Sequence, residues 1–172
     1  MPLPAPECVY AINAPIAELT TAKLFVVSSV RLWAAPHREP DEPHPDWRGG
    51  FVAAHIGAEG IAPFDALLRL LATAARRALD VRCARCPRLG EDEAWMLQLV
   101  SALQHGRCAE AELVLNLWMP PAAARMAMLP AAGFAQALSR ARLVVALRHR
   151  EAARISRLST AAHVQRGLAL LH

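Results

Sequence analysis

Two short spacings in this chain of 172 residues bring metal-binding side chain types together: Cys83-Ala84-Arg85-Cys86 and His105-Gly106-Arg107-Cys108. Thiolate sulfur and imidazole nitrogen are the ligands zinc takes in tetrahedral sites, and two ligands three residues apart on a tight turn reach one ion without strain. Pro87 and Gly90 follow the first pair as turn residues do in zinc knuckles, and Arg82, Arg85 and Arg88 would offset part of the thiolate charge. Gly106 lies between His105 and Cys108 and lets the chain turn both side chains to one point. Cys83, Cys86, His105 and Cys108 are thus the expected metal ligands, with zinc the expected cofactor. Four protein ligands leave no open position to activate water, so this site would be structural.

The bland explanations are concrete. Free cysteine is among the most buried residue types, so Cys108 could simply be core. His105 at a helix C-terminus suits the helix dipole without any ligand role. A small metal-dependent enzyme would instead use Cys83, Cys86 and an acid from Glu91, Asp92 or Glu93, although acids at a helix start ordinarily serve the cap and the dipole. A redox role of the thioredoxin kind lacks its βαβ context around Cys83-x-x-Cys86.

The second chemical signal is basic. On a helical wheel Arg142, Arg150, Arg154 and Arg157 cluster on one face of a C-terminal segment, opposite Val144, Leu147, Ile155 and Leu158. Such a stripe fits nucleic-acid phosphates, an acidic protein partner or an anionic membrane surface. Only one of the nineteen basic residues is lysine, Lys23. That bias, with abundant alanine, also follows from a GC-rich coding sequence and weakens any conclusion from basicity. The charge is uneven along the chain, acidic before residue 64 and basic after it, within a net charge of +4. His37, His44 and His55 lie in or near the proline-rich stretch at 36–50, at spacings that match no metal site. No serine stands in a Gly-x-Ser-x-Gly context.

These residues must be positioned by helices. Hydrophobic residues make up 55% of the chain and aromatics only 5%, which suits helices meeting through Leu, Ala and Val. A helix is expected from Asn13-Pro15 to Pro36, with a strand over Leu24–Leu32 as the alternative. The clearest apolar period begins at Pro63 and takes in Phe64, Leu67, Leu68, Leu71, Ala75 and Leu79. A third helix starts at Glu91, shows Trp95, Met96, Leu99 and Leu103, and ends at Gly106. A fourth runs from Ala109 to Trp118 and stops at Pro120-Pro121. Beyond it come a short helix from Pro121, a break at Pro130 and a basic helical segment at about 134–158. The text from Ala102 to Leu113 resembles the turn of a tetratricopeptide-type helical hairpin. That resemblance spans about 25 residues without a second copy at the repeat period of roughly 34, and it implies an antiparallel helix pair.

The expected fold is all-α: a single-domain, irregular bundle of about five to seven helices covering residues 1–172. The metal site closes only if the helix between its two ligand pairs is short, broken or late in starting, because a helix of about 14 residues is roughly 21 Å long. Cys8 or Asp80 would otherwise complete the first pair. No charged, apolar leader opens the chain and no uncharged run is long enough to span a bilayer, so the expected place is the cytoplasm. The expected function is that of a non-enzymatic regulatory or adaptor protein with a protein partner. A nucleic-acid-binding regulator and a small metal-dependent enzyme are the alternatives.

Overall fold

A computed structural model of the chain describes residues 7–146. Six α-helices follow one 3-10 turn at Ile16–Glu18: α1 (Thr21–Arg38), α2 (Arg48–Ala53), α3 (Ala58–Ala74), α4 (Glu91–Gln104), α5 (Cys108–Trp118) and α6 (Pro121–Arg140). The described residues contain no strand, only an isolated antiparallel bridge between Pro15 and Arg88. The all-α bundle is therefore as the periodicity implies.

Helix α4 is the middle of the bundle. Every residue from Asp92 to Ala102 is buried, and the helix packs against α1, α5 and α6. A helix buried all round must carry its polar residues into the interior, and each of these needs a hydrogen-bond partner there. Non-helical chain and the neighbouring helices α1 and α5 supply the partners. Gln98 Oε1 accepts from the Val9 amide at 2.9 Å and its amide nitrogen donates to Glu110 at 3.1 Å. Ser101 Oγ donates to the Val145 carbonyl at 3.1 Å, while the Gln104 side chain accepts from the Val145 amide at 2.8 Å and donates to the Leu143 carbonyl at 2.9 Å. Asp92 and Glu93 hold the long connection from 75 to 90, described below.

The second pole of the core is the contact of α3 with α6. Small residues let these helices approach closely: a Cβ on Gly133 would stand 3.1 Å from the Cβ of Pro63. Phe51, Phe64 and Phe134 fill the space beside them, with ring centroids 4.9 to 6.1 Å apart, and Trp47 packs on Phe51 and Phe64. Helices α4 and α5 form the antiparallel pair that the hairpin resemblance implies. Gly106, at φ +72°, closes α4 in the left-handed conformation. The Arg107 amide returns to Ala102 and that of Gly106 to Leu103, satisfying carbonyls of the last turn.

Several boundaries differ from expectation. Asn13 has φ +63° and lies before the 3-10 turn, so α1 starts only at Thr21, and it passes through Pro36 to Arg38. Helix α3 begins at Ala58, five residues before Pro63, and ends at Ala74, leaving Ala75 and Leu79 outside it. Pro130 breaks nothing, because α6 runs through it to Arg140. Helix α6 covers the start of the expected basic segment at 134–158 and ends at Arg140; residues 147–158 of that segment lie outside the described residues. Arg142 has φ +60°, and residues 143–146 run as a non-helical strap fastened to α4 by the bonds of Ser101 and Gln104.

Candidate functional site

The two expected ligand pairs stand at opposite ends of α4. Cys86 precedes its first residue, Glu91, and His105 is its C-cap, one turn before Cys108. Fourteen residues of α-helix separate the ends by about 21 Å, so Cys83 and Cys86 do not meet His105 and Cys108. Among the described residues no group of three or more His, Cys, Asp or Glu side chains is placed to hold a metal ion. The zinc expectation thus has no converging ligand set there, and neither Cys8 nor Asp80 completes one. His105 Nδ1 bonds the Ser101 carbonyl at 2.7 Å, and Cys108 is exposed instead of being core. Arg142 is exposed beyond α6. Arg150, Arg154 and Arg157 lie outside the described residues.

What the structure does build sits around residues 75–90. Two adjacent acids at the start of α4 hold this connection, each by a different half. The Glu93 carboxylate receives Arg31 through Nε and a terminal nitrogen, both at 2.7 Å, in an ion pair closed to solvent. It also accepts the backbone amides of Arg82 and Gly90 at 2.8 Å; the latter bond is the reach-back of an N3 glutamate to its N-cap. The third guanidinium nitrogen of Arg31, Nη1, donates to the Cys86 carbonyl at 2.7 Å, and Nη2, which also bonds Glu93, donates to the Arg88 carbonyl at 2.8 Å. Both arms of the Cys83–Cys86 turn are therefore tied to one buried ion pair.

Asp92 faces the other way. It accepts two bonds from Arg77 at 2.7 and 2.8 Å, the Asp80 amide at 2.5 Å and the Trp118 indole at 2.7 Å. Burial on its own would push the Asp92 carboxyl up. The hydrogen bonds from Arg77, Trp118 and the Asp80 amide, with the charge of Arg77, outweigh it and hold the carboxyl below its ordinary value. Arg77 is raised in turn, first by its hydrogen bond to Asp92.

Between α1, α3 and this connection lies an apolar cleft of 480 Å³. Val30, Trp33, Leu68, Leu71, Met96 and Trp118 line its depth, and Ala34, Ala72, His37, Arg38 and Arg77 lie toward its edges. Helices α1 and α3 make no extensive contact with each other. Trp33 bridges them by donating to Asp65 at 2.8 Å, and the cleft is the space this leaves. Its carboxylates are occupied: Asp92 as described, and Asp80 by the Glu91 amide at 2.9 Å and by Arg82 at 3.1 Å. The cleft can bind an apolar group, and both carboxylates that line it already have hydrogen-bond or ion-pair partners.

A smaller cleft of 400 Å³ lies on the other side of Arg38, between the end of α1, the proline-rich loop and the cysteine turn. Arg38 borders both clefts and donates to the Val81 carbonyl. Comparison with protein-family models, with curated proteins and with solved structures found no match to this chain.

Sequence reasoning missed both the cleft and the role of the acids. Asp92 and Glu93 look like ordinary first-turn acids of a helix. Arg31 and Arg77, spaced 62 and 15 residues from their partners, carry no local pattern. The available signal was Arg31 itself, a charged residue flanked by Val30 and Leu32 within an apolar run.

Proposed function

We propose that this protein is a non-enzymatic adaptor of the cytoplasm, which binds a partner protein by taking one bulky apolar side chain of that partner into the cleft between α1 and α3. The observation that carries this proposal is the cleft itself, an opening lined by core residues with arginines at its edge. Interfaces concentrate their energy in such desolvated pockets, filled by an aromatic or aliphatic anchor from the partner. A volume of 480 Å³ takes one large side chain with its neighbours. Charge favours an acidic flank on the partner, since Arg38 stands at the edge without an acidic partner among the described residues, while Arg77 and Asp92 are paired with each other and Asp80 with Arg82. The non-enzymatic part rests on Asp92, ionised and saturated by donors. No helix among the described residues is long and apolar enough to cross a membrane.

Selection from a peptide library displayed on phage tests the proposal. Enriched sequences should carry a bulky apolar residue beside Asp or Glu, and their binding should weaken with salt. Ala72→Trp, at an exposed position on the lip of the cleft, should plug it and weaken the same peptides by about tenfold or more, equivalent to about 1.4 kcal/mol. Peptides that bind the plugged variant as well as the natural protein would overturn it.

A further inference from the structure

Cys83 and Cys86 have a use that needs no second ligand pair. The Cys86 amide donates to the Cys83 carbonyl at 3.1 Å, which makes Cys83-Ala84-Arg85-Cys86 a hydrogen-bonded turn. The Cα atoms at the ends of such a turn lie within about 7 Å, and bridged cysteines have theirs at roughly 4.4–6.8 Å. The turn is held at its base, because Arg31 grips the Cys86 and Arg88 carbonyls while Glu93 takes the Arg82 amide. Burying an ion pair is costly, and here it orders a turn whose leading cysteine is exposed and whose second is half-buried.

Cys83 opens onto the 400 Å³ cleft, whose charged lining has both signs. Arg31 is spent on Glu93 and Arg82 is paired with Asp80. Arg38 and Arg85 remain as positive groups in a lining that also includes Glu39 and Glu42, and Arg85 has no acidic partner among the described residues. His44 in this cleft is engaged by the Glu39 carbonyl at 2.7 Å. A cleft with two cations and two anions beside a thiol suits a small zwitterionic peptide thiol, bearing carboxylates and an ammonium group of its own.

We infer that Cys83 is a site of thiol–disulfide exchange with small zwitterionic peptide disulfides of the glutathione class, and that Cys86 is its resolving cysteine. The Cys83 thiolate attacks one sulfur of the incoming disulfide. Its S–S bond breaks, one half leaves as a thiolate, and the other stays on Cys83 as a mixed disulfide. Cys86 gives up its proton to solvent, attacks the Cys83 sulfur and expels the second thiolate. The two cysteines lose two electrons and form one bond, while the peptide disulfide gains those electrons and becomes two thiols. Cys8 is a poor competitor, because burial pushes its thiol up.

Intact mass and peptide mapping of the reduced full chain, incubated with oxidised glutathione, test this. The natural protein should end without an adduct and lighter by two hydrogens, with Cys83 joined to Cys86. Cys86→Ser should stop at one glutathione on Cys83, and Cys83→Ser should leave Cys86 largely unmodified. Cys83 should react roughly tenfold faster than Cys108, which is also exposed, since local charge and access set thiol reactivity. Combining Arg85→Gln with Glu42→Gln, both at exposed positions, should reduce the preference for oxidised glutathione over neutral 2-hydroxyethyl disulfide by about tenfold. Equal rates at Cys83 and Cys108, no bond between Cys83 and Cys86, or an unchanged preference in the double variant would each overturn the assignment.

Discussion

Asp92 and Glu93 are neighbours in sequence but hold opposite faces of one loop, and their consequences separate in experiment. Glu93→Gln removes the charge that balances Arg31 in a place closed to solvent. Losing one member of a buried pair costs about 3–5 kcal/mol, so the urea midpoint should fall sharply. Glu91→Gln, two residues away and exposed, should stay within about 0.5 kcal/mol. Similar midpoints for the two variants would mean that the Arg31 pair contributes little. Asp92 gives a pH dependence. Its carboxyl is held lower in the folded state than its ordinary value of 3.8, so folding favours the ionised form. That contribution is complete above the unfolded value and is lost as pH falls through the folded one. Asp92→Asn should therefore be less stable at neutral pH, and its stability should decline less steeply below about 3.8. A variant whose acid limb paralleled that of the natural protein would show that Asp92 is not the group responsible. The sequence shows these acids only as a cluster at a helix start. Their depth comes from chain 10 to 60 residues away folding over them, which no local period records.

Whole elements were more legible than single side chains. The hairpin of α4 and α5 and the apolar stripe of α3 follow from spacing and from Gly106, because local periodicity suffices for them. Proline was the misleading signal: Pro36, Pro63 and Pro130 all lie inside helices, where tertiary packing outweighs the lost hydrogen bond. The close fit of the 75–90 connection against α4 depends on Gly90, where an added Cβ would stand 2.5 Å from the Asp80 carbonyl oxygen. Backbone is on both sides of that contact, so Gly90→Ala should destabilise by about 1–3 kcal/mol. Gly49→Ala in α2, where nothing lies within 4 Å, should instead be neutral or gain up to about 1 kcal/mol. Thermal melts of the two variants decide the matter, and equal shifts would contradict the packing described. The strap at 143–146 makes a separate prediction. Gln104→Ala removes the acceptor of the Val145 amide, so hydrogen exchange at Val145 should accelerate while the α3 amides keep their protection. Unchanged exchange at Val145 would show that the strap is held without Gln104.

At the scale of the molecule, α4 serves as the post to which irregular chain is fastened, and the cleft between α1 and α3 is a consequence of that plan. The connection from 75 to 90 is drawn onto α4 by Asp92 and Glu93, and so forms one wall of the cleft instead of filling it. The class of fold was readable from composition and period. The cleft was not, because it is defined by the sparse contact between two helices whose own patterns look complete. Methionine methyl groups report on it directly: Met96 lines the cleft, whereas Met126 is exposed on α6 away from it. With 13C-methyl methionine, titration of the full chain with a selected acidic peptide bearing an apolar anchor should shift the Met96 resonance and leave Met126 in place, and Ala72→Trp should abolish the shift. Movement of Met126 with Met96 unchanged would place the interface on α6 and contradict the assignment of the cleft as the binding site.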